Sequence, residues 1–155
     1  MATIKISDLS VGDWVNVMTE KLTSLVFCEE IEITRGYIHS QIKGIREDGF
    51  IAVETSDSRY TLVDIGCIDP IPITAEILEK NGFGCVEEDA DTALYGTPSC
   101  SIFHTKGISR YRLDAPQASV SCWYIHQLQH AIRLAGLDKE INLLAALFCW
   151  RTQRY

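Results

Sequence analysis

Cysteine and histidine recur at intervals of four residues late in the chain, at Cys122, His126 and His130. On an α-helix, residues four apart share a face, so these side chains would form one column. Thiolate and imidazole are ligands that zinc accepts. The column would span about 12 Å, so one ion could take an adjacent pair and would need further ligands, such as His104 or Cys100. We favour the alternative, a polar helix face on which His126 makes a structural hydrogen bond, and expect no metal or other cofactor.

No other motif singles out a reaction. Six cysteines and four histidines offer many chance pairings, so a Cys–His nucleophile is not distinguished. The sequence contains no G-x-S-x-G, P-loop, G-x-G-x-x-G or H-E-x-x-H motif. The residues Gly82-Phe83-Gly84 follow a predicted helix rather than opening one, so they do not form a phosphate cradle. We therefore expect no catalytic residues and no enzymatic activity.

An acidic run, Glu87-Glu88-Asp89-Ala90-Asp91, could supply oxygen ligands to a hard cation such as calcium. It lacks the glycine at the sixth position and the flanking helices of an EF-hand. A solvated hairpin loop is the better interpretation of this run.

Composition and charge restrict the function classes. The chain has 155 residues, 46% of them apolar and 23% charged, which suits a globular fold rather than disorder. A formal net charge of −7 excludes a protein that binds nucleic acid over its whole surface, because such binding needs an excess of positive charge. Residues 108–155, however, carry six basic and three acidic side chains. The basic residues are Arg110, Arg112, Arg133, Lys139, Arg151 and Arg154. They could contact a phosphate or an acidic partner, but we expect them to balance the acidic part of the fold.

The elements of residues 1–70 are short strands separated by turns. Alternating patterns predict strands at residues 14–17, 37–45, 50–53 and 60–63, and Glu47-Asp48-Gly49 is a tight-turn signature. Residues 20–32 fit either a long loop or a strand extension. The spacing predicts a β-meander that closes into an SH3-like β-barrel, which we take as a first domain.

Residues 71–155 form a predicted α+β section, which makes the fold class α+β. Thr74 is a good N-cap for a short connector helix over residues 75–80, and Gly82 is placed to end it. Five strands follow, at residues 83–87, 92–95, 100–104, 109–113 and 120–122. They predict a small antiparallel sheet packed by an amphipathic helix from Trp123 to Gly136.

A final helix is predicted from Lys139 to about Trp150, with apolar residues around most of its circumference. Such a helix is buried, either in its own fold or against a second copy. We expect self-association through this C-terminal helix. Leu144 and Phe148 are then interaction residues, and their joint replacement by aspartate tests this.

Three landmarks stand in order along the chain: Val11-Gly12-Asp13-Trp14-Val15, Ile68-Asp69-Pro70-Ile71-Pro72-Ile73-Thr74 and Tyr124-Ile125-His126-Gln127-Leu128-Gln129. As a set they resemble a family of small uncharacterised Bacteroidales and prophage proteins with a G-[DN]-W-V opening, a PIPLT-like connector and a late HQLQ helix. The resemblance covers about residues 8–136. It implies the fold and a mobile-element or prophage gene context, and it implies no chemistry.

Together these patterns indicate a non-enzymatic accessory or protein-interaction protein. Its expected partner is an unidentified protein or a second copy of itself. The alternative is a nucleic-acid-binding regulator that uses the basic C-terminal third, although nucleic acid is the less expected partner. No apolar run approaches the roughly 20 residues of a membrane span, and the N-terminus lacks a signal-peptide pattern, so we expect a cytoplasmic protein without membrane contact.

Overall fold

A computed structural model describes residues 4–24, 31–54, 60–143 and 149–154. The chain divides into two compact units, one made of Met1–Pro70 with Leu144–Tyr155 and the other of Ile71–Leu143. The elements in chain order are β1 (Trp14–Ser24), β2 (Ile31–Ile45), β3 (Phe50–Glu54), β4 (Tyr60–Asp64), β5 (Ile68–Asp69), α1 (Ala75–Lys80), β6 (Gly84–Glu88), β7 (Thr92–Thr97), β8 (Cys100–Thr105), β9 (Tyr111–Ala115), β10 (Ala118–Cys122), α2 (Ile125–Leu134) and β11 (Cys149–Arg154).

The α+β fold class is wrong, because the protein is mostly β. Two antiparallel sheets contain all the strands, and α2 is the only helix longer than six residues in the part of the chain that the structure describes. Within those same residues, no helix has the length and apolar character needed to cross a membrane.

β2 is the central strand of the first unit. The strand order is β4-β3-β2-β1-β5, with β11 also paired to β2. The first half of β2 lies between β1 and β11, while its last residues pair with β3 after a register shift between Ile42 and Gly44. β2 therefore pairs with three other strands, β1, β3 and β11.

The predicted SH3-like barrel is wrong, because this sheet is open. β4 and β5 stand at the two ends of the strand order and do not pair with each other in the described residues. Residues 20–24 and 31–32, which the sequence left unplaced, extend β1 and β2 into a long hairpin. β11 pairs with Glu32–Tyr37, in the part of β2 that this hairpin adds.

The core of the first unit comes from side chains that alternate along its strands. They are Leu9, Val15, Val17, Ile42, Ile51, Val53 and Ile68. The landmark before β1 fixes where this alternation begins. Gly12 adopts a φ of 96°, which glycine tolerates best, and its N–H donates to the Ile42 carbonyl at 2.8 Å. The buried Asp13 carboxylate accepts from the Ser10 N–H at 2.7 Å. The Gly-Asp-Trp-Val landmark is thus a structural turn.

The connector helix agrees with its prediction. The Thr74 hydroxyl accepts from the Ile77 N–H at 3.2 Å, which caps the N-terminus of α1. At the other end Gly82 has a φ of 82°, its N–H donates to Glu79, and the Phe83 N–H donates to Leu78. These two bonds are those of a Schellman motif, so the cap and the closure are both confirmed.

The second unit contains a five-stranded meander with strand order β10-β9-β8-β7-β6. Each predicted strand is confirmed to within two residues at either end. One face of the sheet is buried, and α2 packs against β9 and β10. The residues buried there include Tyr95, Ile102, Leu113, Leu128 and Ile132. α2 ends as expected before Gly136, whose φ is 67°.

The predicted C-terminal helix is wrong. Residues 139–143 have no regular structure, and Cys149–Arg154 is strand β11, paired with β2 in the first unit. Leu144 and Phe148 lie outside the described residues. An apolar run of this length fits a buried strand as well as a buried helix, since periodicity does not separate the two. The predicted second section runs from residue 71 to residue 155, whereas the second unit of the structure ends at Leu143.

Candidate functional site

The structure does not place Cys122, His126 and His130 on one helix. Cys122 is the last residue of β10, and α2 begins three residues later at Ile125. Cys122 is fully buried, and burial raises the pKa of its thiol to about 11. The thiol therefore stays protonated at neutral pH, which makes it a poor nucleophile.

His126, which was expected on a polar helix face, is also buried, with 3% of its surface exposed. Its ring lies 6.0 Å from the Tyr124 ring in a parallel arrangement and 6.1 Å from the His130 ring in an edge-on one. α2 is buried over a wider arc than its apolar stripe, because Gln129 is covered as well. The described residues contain no group of three or more His, Cys, Asp or Glu side chains able to hold a metal ion.

The acidic run forms the exposed β6–β7 hairpin, as expected. The Asp89 carboxylate accepts from the N–H groups of Asp91 and Thr92 at 2.8 and 2.7 Å, and these bonds lower the pKa of Asp89. The Lys106 ammonium lies 2.7 Å from both the Glu88 carboxylate and the Asp89 carbonyl oxygen. These oxygens serve the turn itself.

The HQLQ landmark has a structural role at the start of α2. The Gln127 side-chain oxygen accepts from the backbone N–H groups of Trp123 and Tyr124 at 2.8 and 3.3 Å. These N–H groups have no partner within the helix, so Gln127 caps it. All three landmarks therefore maintain the backbone. Two of them, the connector and the start of α2, border the surface that is the better candidate for a site.

A groove of about 450 Å³ opens on the second unit beside this cap. Its walls come from the connector before α1, from the β8–β9 hairpin and from the segment between β10 and α2. The side chains that give it its chemistry are Pro72, His104, Ile108, Tyr111, Trp123 and Tyr124. We refer to this feature as the aromatic groove.

One wall of the aromatic groove is held by a backbone ladder. Pro72 and Tyr124 form an isolated antiparallel bridge. Next to it, the Ile125 N–H donates to the Ile71 carbonyl at 2.9 Å, and the Ile73 N–H donates to the Trp123 carbonyl at 3.4 Å. These bonds place Trp123 at the groove with 42% of its surface exposed.

The opposite wall is an aromatic stack. His104 on β8 faces Tyr111 on β9, with ring centroids 3.9 Å apart and planes 7° apart. The His104 Nδ1 lies 3.2 Å from the Arg110 carbonyl oxygen, which only accepts, so Nδ1 carries the proton and donates. In the neutral ring Nε2 is then an acceptor. Desolvation raises the pKa of the Tyr111 hydroxyl, so this ring stays neutral.

The lining of the aromatic groove contains no Asp, Glu, Lys or Arg among the described residues. Ile108, at the tip of the β8–β9 hairpin, exposes 50% of its surface beside Trp123. The arrangement can hold an uncharged ligand against ring faces and offer it hydrogen bonds from indole and phenol groups. Sequence reasoning missed this site, because its walls come from three separated stretches. The one available signal was the large aromatic side chain of Trp123 at the predicted start of a helix.

The basic C-terminal third does not form one segment of the fold. Arg151 and Arg154 belong to β11 in the first unit, whereas the other basic residues lie in the second unit. Arg112 lies over the Phe103 ring at 5.3 Å and pairs with Asp114 at 2.9 Å.

Comparisons of the chain with models of protein families, with curated proteins and with solved structures found no match.

Proposed function

We propose that this chain is a non-enzymatic interaction protein that binds an extended, uncharged, proline-containing segment of a partner protein in the aromatic groove. One observation carries the proposal: Trp123 is 42% exposed in a groove that, among the described residues, is lined by aromatic rings and by no charged side chain. Exposed aromatic surface in a concave, neutral site is typical of recognition rather than of the folded core.

The chemistry of such a segment matches the groove. A polyproline II chain has no internal hydrogen bonds, so its carbonyl oxygens seek donors from a partner. Trp123 and Tyr124 carry donors at the ends of apolar rings, and aromatic grooves bind such chains in this way. A charged segment would lose its hydration in this groove without gaining an ion pair.

Catalysis has less support, since no acidic side chain that would orient a histidine base lines the groove in the part of the chain that the structure describes. His104 uses Nδ1 on the Arg110 carbonyl and stacks on Tyr111, and no carboxylate lines the groove with it in the described residues. A general base of the usual kind is held by an acidic partner and faces a nucleophile.

The nucleic-acid alternative rests on the basic C-terminal third. Its residues are divided between the two units, and Arg112 is occupied by Asp114. Phosphate binding needs several cations on one surface, and its affinity falls as salt is added. Protein binding in the aromatic groove is therefore the stronger proposal.

Titration of fluorescein-labelled uncharged proline-rich peptides, followed by anisotropy, tests the proposal. We expect the peptide affinity to change little with salt concentration. We also expect Trp123→Ala to weaken that affinity at least about tenfold, as for an aromatic anchor. Leu134→Ala is the matched control, because Leu134 is 72% exposed on α2 and does not line the groove.

Two outcomes would overturn the proposal. The first is the absence of binding to every peptide of the panel at millimolar concentration. The second is a salt-sensitive complex with a short DNA or RNA duplex that Trp123→Ala leaves intact, which would support the nucleic-acid alternative.

A further inference from the structure

Three of the exposed large apolar side chains described in the first unit lie on its outermost hairpin, β3–β4. Tyr60, Leu62 and Phe50 expose 69%, 49% and 42% of their surfaces. The register pairs Leu62 with Ala52 and Tyr60 with Glu54. On β3, Phe50, Ala52 and Glu54 alternate with the buried Ile51 and Val53. Tyr60, Leu62 and Phe50 therefore all lie on the sheet face opposite the core. The aromatic groove accounts for none of this surface.

β4 is also an edge strand. Among the described residues it pairs only with β3, and four of its five residues are exposed. Edge strands are usually protected by lysine, proline or an inward charge. The five residues Tyr60–Asp64 include no lysine, arginine or proline. Their single charge, Asp64, accepts from the Gly66 N–H at 2.8 Å at the end of the strand.

We propose that β4 pairs antiparallel with β4 of a second copy of the chain, centred on Leu62. The two sheets then become one across a two-fold axis. In this register Leu62 faces its own counterpart, Thr61 faces Val63, and Tyr60 faces Asp64. The pairing supplies the backbone hydrogen bonds that an edge strand offers.

The strand is self-complementary in this register, which favours a second copy over an unrelated strand. The apolar row Ala52–Leu62 continues across the axis into the same row of the other copy. The two Asp64 carboxylates lie at opposite ends of the paired strands, so like charges do not face each other. Shifting the centre to Val63 would place Leu62 against Asp64, which loses the apolar pair.

Five residues per strand bury less surface than the roughly 1,200 Å² of a stable complex, so the dimer is weak and depends on concentration. The formal net charge of −7 on each copy opposes association. Added salt screens that repulsion, so it strengthens the dimer. This salt response is opposite to that of nucleic-acid binding.

Sedimentation velocity of the full chain over a concentration series tests the pairing. We expect the wild-type mass to rise toward that of a dimer and Leu62→Lys to stay monomeric. Val86→Lys is the matched control, because Val86 is 68% exposed on β6, the edge strand of the other sheet. Far-UV circular dichroism establishes that each variant is folded. A wild type that stays monomeric at millimolar concentration, or a folded Leu62→Lys that still dimerises, overturns the proposal.

The register has its own test. Directly opposed residues of an antiparallel pair have Cα atoms about 4.5–5.5 Å apart, within disulfide range. In a Cys85→Ser background, which removes an exposed thiol, Leu62→Cys should form a covalent dimer on oxidation and Tyr60→Cys should not. Equal yields from the two variants contradict pairing centred on Leu62.

Discussion

The ammonium group of Lys139 lies 4.8 Å from the centre of the Phe83 ring, directly beyond the C-terminus of α1. Phe83 is fully buried, and it donates the N–H that closes the Schellman motif. A hydrogen bond joins the same two regions, because the Asn142 N–H donates to the Asn81 side-chain oxygen at 2.7 Å. The irregular segment after α2 therefore contacts the end of α1 through a cation–π interaction and a hydrogen bond.

Gly82→Ala tests this junction. Gly82 has a φ of 82°, which costs an alanine about 1–2 kcal/mol, and the new Cβ would lie 2.9 Å from Lys139 Nζ. The lysine would have to move from its place over Phe83. We expect the free energy of unfolding to fall by about 1–2 kcal/mol. Urea titration followed by circular dichroism measures it.

Gly84→Ala is the matched control for that change. A Cβ at Gly84 would meet nothing within 4 Å. The change in unfolding free energy should stay within about 0.5 kcal/mol, as for most surface substitutions. Equal losses for the two alanines would show that the left-handed conformation at Gly82 is not the cause.

His39 should make the stability of the protein depend on pH. Burial lowers the pKa of His39 below its ordinary value of 6.5. Its Nδ1 donates to the Asn16 side-chain oxygen at 2.6 Å, which fixes the orientation of the ring. As pH falls below 6.5 the unfolded chain takes up this proton before the folded chain does, so the free energy of unfolding should decrease.

His39→Gln removes this titration while keeping a side chain that can donate. Urea unfolding at intervals between pH 7 and pH 5 should give a shallower decline for the variant than for the wild type. Above pH 7 the two curves should run parallel, because His39 is then neutral in both states. Superimposable slopes below pH 6.5 would assign the dependence to other groups.

The thiols should differ sharply in reactivity. The pKa of Cys122 is raised to about 11 by burial, whereas Cys85 is exposed. In native protein at neutral pH, iodoacetamide should label Cys85 within minutes and Cys122 only after unfolding, since the exposed thiolate is the reactive form. Peptide mapping by mass spectrometry resolves the two sites. Rapid labelling of Cys122 would show that β10 opens in the folded protein.

Much of the second unit could be predicted because its signals are local. Thr74 and Gly82 fix α1 through hydrogen bonds to neighbouring residues, and the turns of the meander follow glycine, proline and acidic residues. Such signals depend on a few adjacent residues and need no knowledge of the rest of the fold.

The errors occurred where distant partners decide the structure. β11 is a strand because β2 offers it an edge more than a hundred residues earlier, as in the pairing of Arg154 with Glu32. The predicted barrel would need β4 and β5 to pair, and these strands lie at opposite ends of the order without pairing in the described residues. Periodicity within one segment carries no information about such a partner.

The candidate site could not be predicted for a related reason. Trp123, His104 and Pro72 are far apart in sequence, and each has an ordinary local explanation as a helix start, a strand residue or a linker proline. The predicted column of Cys122, His126 and His130 is not formed, because β10 ends at Cys122 and α2 begins only at Ile125. The aromatic groove follows only from tertiary structure.

The position of β11 also has a consequence for biosynthesis. The second unit, Ile71–Leu143, is inserted between two parts of the first, and it emerges from the ribosome before β11 has been made. During that interval the edge of β2 that pairs with Cys149–Arg154 has no native neighbour. Unpaired edges recruit other strands, so a nascent chain stalled at this point is the species most prone to aggregation and the one most in need of a chaperone.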